Sequence, residues 1–337
     1  MDTETPVFQF KHFSNGQAIG LKAQDGSVSQ AGITLGDHTI PMTDILGTTV
    51  RGNVLVFAVN EAAIMDDKLA KRINRGALVV QIYKLDAIEV EKAIDRHSSQ
   101  QKAQVRQQQM QLDGTGEQFR SHVCPNCTST IDVTDFDQSS SVFCGYCETV
   151  FSNSGQIETL GYDYKTCQDC GGFDRNREYT FFQFFFIVIA YAYNHSKHYL
   201  CDACAHTKAK RSLLTNSIFL LGVPQAIRNI RKSQTNREDG LEELGNLNAA
   251  AIQGDIQEAT DTKARLNPMF QEHPGVLYNM GLANLRSGDT SNAKAWFSQS
   301  LNQCSNYSPS LQVQWMLDNQ QQVDFDATGD TQGHLVS

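Results

Sequence analysis

The chain reads as a multidomain α+β protein: an N-terminal β-barrel-like domain with a C-terminal helix, a cysteine-pinned middle, and C-terminal antiparallel helical repeats. Three observations predict this. Short alternating stretches punctuated by glycine-containing dipeptides fill residues 1 to about 112. Four Cys-x-x-Cys pairs follow and use eight of the nine cysteines. Beyond residue 240, a helical pattern echoes itself at an offset of 34 residues. At 337 residues with 40% hydrophobic content, the chain has material for two or three cores.

The first element set runs near 7–13, 17–22, 28–35, 38–41, 45–51, 54–59 and 77–83, each apolar or alternating with the two-residue period of a strand. Asp25-Gly26, Gly36-Asp37 and Gly52-Asn53 are hairpin dipeptides. Glu61 to Asn74 predicts a short helix stopped by Gly76. A long helix is expected from Asp86, with Glu89 three residues on as in a capping box, through Gln-rich 100–111 to Gly114. The Gln-rich stretch reads as a solvated helical spacer. Seven strands closed by one helix over 1–115 resemble a pleckstrin-homology-like domain in architecture. No motif carries residues across, and such folds serve many functions.

The pairs are Cys124/Cys127, Cys144/Cys147, Cys167/Cys170 and Cys201/Cys204. A Cys-x-x-Cys turn puts two sulfurs on one side of a knuckle, and two knuckles complete a four-thiolate site at about 2.3 Å from a zinc ion. Eight thiolates therefore predict two Zn²⁺ ions. Between Cys127 and Cys144 lie strand, polar turn and strand, with Pro125 and Gly145 inside the knuckles. The pattern resembles a zinc ribbon, assigned to 117–160. The second unit, 161–236, resembles an enlarged ribbon, since thirty residues separate Cys170 from Cys201. Sequential pairing of neighbouring knuckles is preferred because each half carries its own strand-turn-strand text. Cross-bracing of 124/127 with 167/170 would resemble RING or FYVE modules.

Dithiol redox chemistry at Cys144-Gly-Tyr-Cys147 is the rival. It would need a βαβ setting with the first cysteine at a helix N-terminus, and the flanks read as short strands. Cys304 falls in a helical stretch as an inert buried thiol. His195, His198 and His206 flank the second unit as surface or supporting groups, with an alternative ligand role as the lesser reading.

Net charge is −9, yet 195–237 holds eight Lys and Arg against Asp202 alone. The rest of the chain is correspondingly acidic, so this basic segment predicts an anionic contact or a solvated basic face. It adjoins two apolar runs, Phe181 to Tyr193 and Leu213 to Ile227, the latter expected as one helix. Both fall short of the ~20 residues of a spanning helix. A span at 181–193 would also put Cys167/Cys170 and Cys201/Cys204 on opposite faces of a bilayer. The run is then either core of the enlarged ribbon or an interfacial insertion backed by cations.

Within 237–322, Gly254-Asp255 recurs as Gly288-Asp289 and Ala259 as Ala293. Leu277, Gly281, Ala293 and Phe297 resemble the tetratricopeptide pattern, with Leu247 and Lys263 departing from it in the first copy. A helix over 311–317 caps the stack, and 323–337 reads as a disordered tail. The N-terminus lacks a basic and apolar leader, and paired thiolates suit a reducing compartment, so the expected location is cytoplasmic with membrane association. No catalytic constellation and no small-molecule substrate are evident. The expected function is a non-enzymatic zinc-binding adaptor or scaffold, with a protein partner at 237–322 and an anionic membrane surface at 181–237. A nucleic-acid-binding ribbon protein is the alternative reading, and a dithiol oxidoreductase a lesser one.

Overall fold

The computed structural model describes residues 6–14, 17–64, 67–153, 160–161, 163–187, 190–216, 223–234 and 241–319, with backbone alone at 182–197. It is a mixed α+β structure whose sheets are all antiparallel. Two compact units, 1–135 and 136–337, divide the chain.

In the first unit, strands β1 (Val7–Ser14), β2 (Gln17–Ser29), β3 (Gly32–Leu35), β4 (His38–Pro41), β5 (Ile45–Arg51), β6 (Val54–Val59) and β7 (Ala77–Tyr83) form one sheet. Its order is β4-β3-β2-β1-β7-β6-β5. The alternation sets the buried face: Leu78, Val80 and Ile82 of β7 and Leu55, Phe57 and Val59 of β6 all point into one core. The sheet is open, which corrects the β-barrel-like expectation. Pro41 ends β4 without an N–H to offer, and the turn Met42–Asp44, with Met42 buried, carries the chain on to β5.

Two local expectations are also corrected. Asp25-Gly26 is no turn: β2 continues through it, and Gly26 pairs with Phe8 and Leu35. The glycine is needed for close approach, because a Cβ there would stand 2.6 Å from the Phe8 ring. Glu61–Asn74 is not one helix but a 3-10 turn at Glu61–Ala63 and a single α-turn, α1 (Asp67–Ala70). The Glu61 carboxylate instead accepts the Gly76 N–H, and Asn74 pairs with Ala77. The long helix α2 (Ala87–Leu112) begins as expected, with Asp86 accepting from the Ile88 N–H at 3.0 Å. Glu89 reaches Lys92 rather than closing a capping box. Val90, Ala93 and Ile94 of α2 join the sheet core. Further along, Ser99 Oγ accepts the Thr130 N–H at 2.9 Å, tying the helix to the hairpin β8 (Ser121–Val123) and β9 (Thr130–Asp132).

The second unit opens with the hairpin β10 (Ser141–Phe143) and β11 (Val150–Ser152). A three-stranded sheet follows: β12 (Tyr164–Thr166), β13 (Phe173–Ile187) and β14 (Ala190–Cys201). The apolar run 181–193 therefore lies on the two arms of one long hairpin. Of the single helix expected over Leu213 to Ile227, the described ends fall on helices α3 (Asp202–Asn216) and α4 (Val223–Ser233), and 217–222 lies outside the described residues. Pro224 suits the first turn of α4, where no N–H is needed.

The remaining helices are α5 (Leu244–Gln253), α6 (Ile256–Arg265), α7 (Pro268–Gln271), α8 (Pro274–Arg286), α9 (Thr290–Gln303) and α10 (Ser308–Asp318). The 34-residue echo is a structural repeat. Gly254 and Gly288 turn between helices at φ of 70° and 92°, and Asp255 and Asp289 cap α6 and α9 through the Glu258 and Asn292 N–H groups. Ala259 and Ala293 are fully buried at matching positions. At Gly281 helices α8 and α9 approach closely: a Cβ would stand 2.4 Å from the Phe297 ring. Gly281→Leu is expected to destabilise the second unit by about 1–3 kcal/mol in chemical denaturation. Strand and helix residues share one core, in which Phe143, Val150, Tyr164 and Phe173 meet Leu247, Tyr278, Phe297 and Tyr307. The expected tail, 323–337, lies outside the described residues.

Candidate metal centres

Three of the four Cys-x-x-Cys pairs fold as the same knuckle. The carbonyl of the first cysteine accepts the N–H four residues on: Thr128 to Cys124, Glu148 to Cys144 and Gly171 to Cys167, at 2.8–3.0 Å. The first-cysteine N–H in turn donates to the carbonyl five residues on, at Ser129, Thr149 and Gly172. Closing so tight a loop requires left-handed backbone after the second cysteine, and Thr128, Glu148 and Gly171 have φ of 62°, 60° and 71°. Pro125 and Gly145 lie in the exposed arms of their knuckles.

The fourth pair departs from this pattern and is not the second knuckle expected at Cys201/Cys204. Cys201 ends β14, Asp202 starts α3, and Cys204 sits in the first helical turn. The backbone N–H groups exposed at that helix start are used on sulfur: Cys204 N–H donates to Cys201 Sγ at 3.4 Å, and Cys201 N–H to Cys167 Sγ at 3.4 Å.

The eight cysteines converge in two groups, 124/127/144/147 and 167/170/201/204, with the ligand atoms of each within 4.8 Å of one another. Neighbouring pairs thus share a site, and cross-bracing is not the arrangement. Seven of the eight side chains are buried and Cys204 is half-buried. The donor set fits a metal ion. A tetrahedral centre with sulfurs at about 2.3 Å has S···S edges of about 3.8 Å, and Cys170 Sγ lies 3.8 Å from Cys201 Sγ. Without a cation the four sulfurs of the second group do not all ionise. The thiols around Cys167 hold its sulfur well below the usual thiol range by hydrogen bonding, while Cys201 and Cys204 are pushed up by that same anion and by burial. Four buried thiolates coexist only around a cation.

The second centre is built into buried polar structure. Asp202, 3% exposed, accepts from Arg175 at 3.1 Å, Arg177 at 2.8 Å and the Tyr179 hydroxyl at 2.7 Å. Arg286 donates to the Cys170 carbonyl at 2.7 Å. Asn279 clamps Phe173, accepting its N–H and donating to its carbonyl, both at 2.7 Å. Asn306 does the same to Phe143, the residue before Cys144, at 2.9 and 2.8 Å. The helical segment thus holds a strand beside each centre with one device. The composition pattern conceals it, because an asparagine in a helical stretch carries no such signal.

Among the described residues, neither group includes a histidine. His198 packs edge-on to Phe181, and His206 Nδ1 lies 3.2 Å from Ser233 Oγ. The His195 side chain lies outside the described ones. Cys304 is fully buried at the end of α9, and burial pushes its thiol up to about 12, which keeps it protonated and unreactive.

His273 was not singled out by sequence pattern. It caps α8, accepting the Gly275 N–H at 3.1 Å, and stacks on Phe173 with centroids 4.9 Å apart. Full burial lowers its pKa to about 3. Its folded value is depressed, so its stabilising contribution is complete above the ordinary value near 6.5 and is lost as pH falls toward 3. The unfolding free energy of the wild type is expected to fall more steeply with acidification than that of His273→Asn, by up to about 1.4 kcal/mol per pH unit. Asparagine retains a cap acceptor and does not titrate, so the difference in slope isolates His273 from acid loss of metal.

Compared with known protein families, with curated proteins and with solved structures, this chain matches none of them.

Proposed function

We propose that this chain is a non-enzymatic adaptor that holds two zinc ions and works at an anionic membrane surface. The two closed four-cysteine groups carry the reading. Soft thiolates favour zinc over hard cations. A site filled by four protein ligands keeps no position for an activated water, so the centres staple the fold rather than react. In this reading 1–115 acts as a pleckstrin-homology-like docking domain, 117–160 and 161–236 as zinc-ribbon-type modules, and 237–322 as tetratricopeptide-like helices, in a cytoplasmic protein.

The helical segment turns α5 and α8 toward β13, where Asn279 holds Phe173. The inner face is therefore taken by the chain itself, and α6 and α9 offer the outer face to a protein partner. Membrane contact is supported by the hairpin β13–β14. It runs from the Asn176–Cys201 pair to the Ile187–Ala190 pair, about 36 Å at 3.3 Å per residue. Its apolar text adjoins helices that expose Lys210, Arg228 and Arg231 beside Leu214 and Ile227. No helix among the described residues is long and apolar enough to cross a membrane.

Sedimentation with phosphatidylserine vesicles tests the reading. Wild type is expected in the pellet at low salt. The triple change Lys210→Glu, Arg228→Glu, Arg231→Glu should lose several kcal/mol of binding, at about 1 kcal/mol per cation removed and again per charge reversed. Wild-type protein that stays in the supernatant at every salt concentration contradicts it.

A further inference from the structure

A redox dithiol has its first cysteine where a strand runs into a helix. Cys144 and Cys147 lack that setting, since they fold as a tight knuckle. Cys201 and Cys204 have it: Cys201 ends β14, and Cys204 lies in the first turn of α3 with its N–H on Cys201 Sγ at 3.4 Å. A groove of about 400 Å³ opens at this pair, lined by Cys204, by Ala249, Ile252 and Gln253 of α5, and by Asp169 and Lys208. Of the eight grouped cysteines, Cys204 is the half-buried one and the other seven are buried. We propose that Cys204 is an oxidative modification site, reached through this groove by a small alkyl hydroperoxide, and that it closes a disulfide with Cys201 that expels the second metal ion. The proposal rests on the reading of the four-cysteine groups as metal centres, and adds to it a reaction at sulfur rather than at the metal.

A closed four-thiolate site offers no open position on the metal, yet each thiolate remains a nucleophile. The metal draws on its electron pair, so reaction is slower than at a free thiolate, and access decides which sulfur reacts first. Cys204 Sγ attacks the terminal oxygen of the hydroperoxide. The S–O bond forms, the O–O bond breaks, and the alkoxide leaves and takes a proton from water, giving a sulfenic acid at Cys204. The Cys201 thiolate then attacks the Cys204 sulfur, the S–S bond forms, and hydroxide leaves to become water. Two thiolates lose two electrons in all, and the hydroperoxide is reduced to alcohol and water. The sulfurs of the group already lie within 4.8 Å of one another, and the bond closes that gap to about 2 Å. The ion is left with Cys167 and Cys170 and is released. The groove suits an uncharged reagent: Ala249 and Ile252 pack an alkyl group, while Lys208 and Asp169 pair with each other at 3.6 Å. All four cysteines of the first group are buried, so that group is expected to stay loaded.

The test treats the full zinc-loaded chain with millimolar tert-butyl hydroperoxide. Zinc release is followed with a chromophoric chelator, and the thiols that remain are labelled with N-ethylmaleimide in denaturant for peptide mass mapping. One of the two zinc equivalents is expected to leave, with Cys201 and Cys204 recovered as a disulfide and every other thiol labelled. Ala249→Phe fills the groove and should slow release about tenfold, a barrier higher by about 1.4 kcal/mol, with zinc content before oxidant unchanged. Should that variant fail to fold, Gln253→Trp, a change at an exposed residue of the same lining, should slow release in the same sense. Protein that carries two zinc ions and keeps both through hours of oxidant overturns the proposal and leaves the metal reading standing. Release with a disulfide between any other two cysteines overturns it as well, and so does release at the wild-type rate from both Ala249→Phe and Gln253→Trp. Protein that purifies without zinc overturns the metal reading and the proposal with it.

Discussion

Cys167→Ser is expected to drop the metal content from two ions to one and to unfold the sheet β12–β14 together with the helices packed on it. A structural zinc contributes folding free energy on the order of 10 kcal/mol, more than the net stability of a typical domain. The effect should reach α5 and α8, because Phe173, three residues beyond Cys170, is buried in the core those helices share. Loss of near-ultraviolet circular dichroism and of amide protection in 241–319 would register it. Cys124→Ser should likewise remove one equivalent of metal while leaving the 167/170/201/204 group loaded, because neighbouring pairs share a site. Loss of both metals from either single variant contradicts independent centres.

Asn279→Ala is the second large effect expected. The change strands the N–H and carbonyl of Phe173, both buried away from water, and each orphaned group costs about 1–3 kcal/mol. The variant should therefore lose about 2–5 kcal/mol in denaturant unfolding, several times the cost of an exposed Asn→Ala change. Asn306→Ala should cost a similar amount through Phe143, and Asn279→Asp no less, since it keeps the acceptor while burying a charge. A loss below about 1 kcal/mol in both alanine variants would mean that water replaces the clamps.

Much of the fold was legible because it rests on local rules. Cysteine spacing picked out the eight thiols that gather in the two groups, since two sulfurs fall on each knuckle, while spacing alone left open whether neighbouring or alternate pairs would share a group. Glycine-aspartate turns at 254 and 288 marked the helical repeat because each pairs a left-handed turn with a helix cap. Asp86 marked the start of α2 for the same reason. The errors arise where long-range contacts override local preference. Asp25-Gly26 reads as a turn until Phe8 lies across it, and Glu61–Asn74 reads as a helix until the Glu61 side chain folds back to Gly76. The open sheet depends on which strands pair at its centre, β1 with β7, far apart in sequence, which no periodicity encodes. At the second centre, the helix after Cys201 was signalled by Ala203, Ala205 and Ala209, small helix-favouring residues that pack against Tyr179 and Phe181. The Asn279 and Asn306 clamps and the Asp202 cluster join residues far apart in sequence, so spacing could not reveal them.

The eight paired cysteines are proposed to hold two zinc ions as closed structural centres. Zinc content and reactive-thiol count, measured together on protein purified without chelator, test it most directly. Two zinc ions per chain and no rapidly reacting thiol are expected, with nine thiols appearing once the metal is stripped under denaturing conditions. Metal-free, folded protein with eight titratable thiols would contradict it.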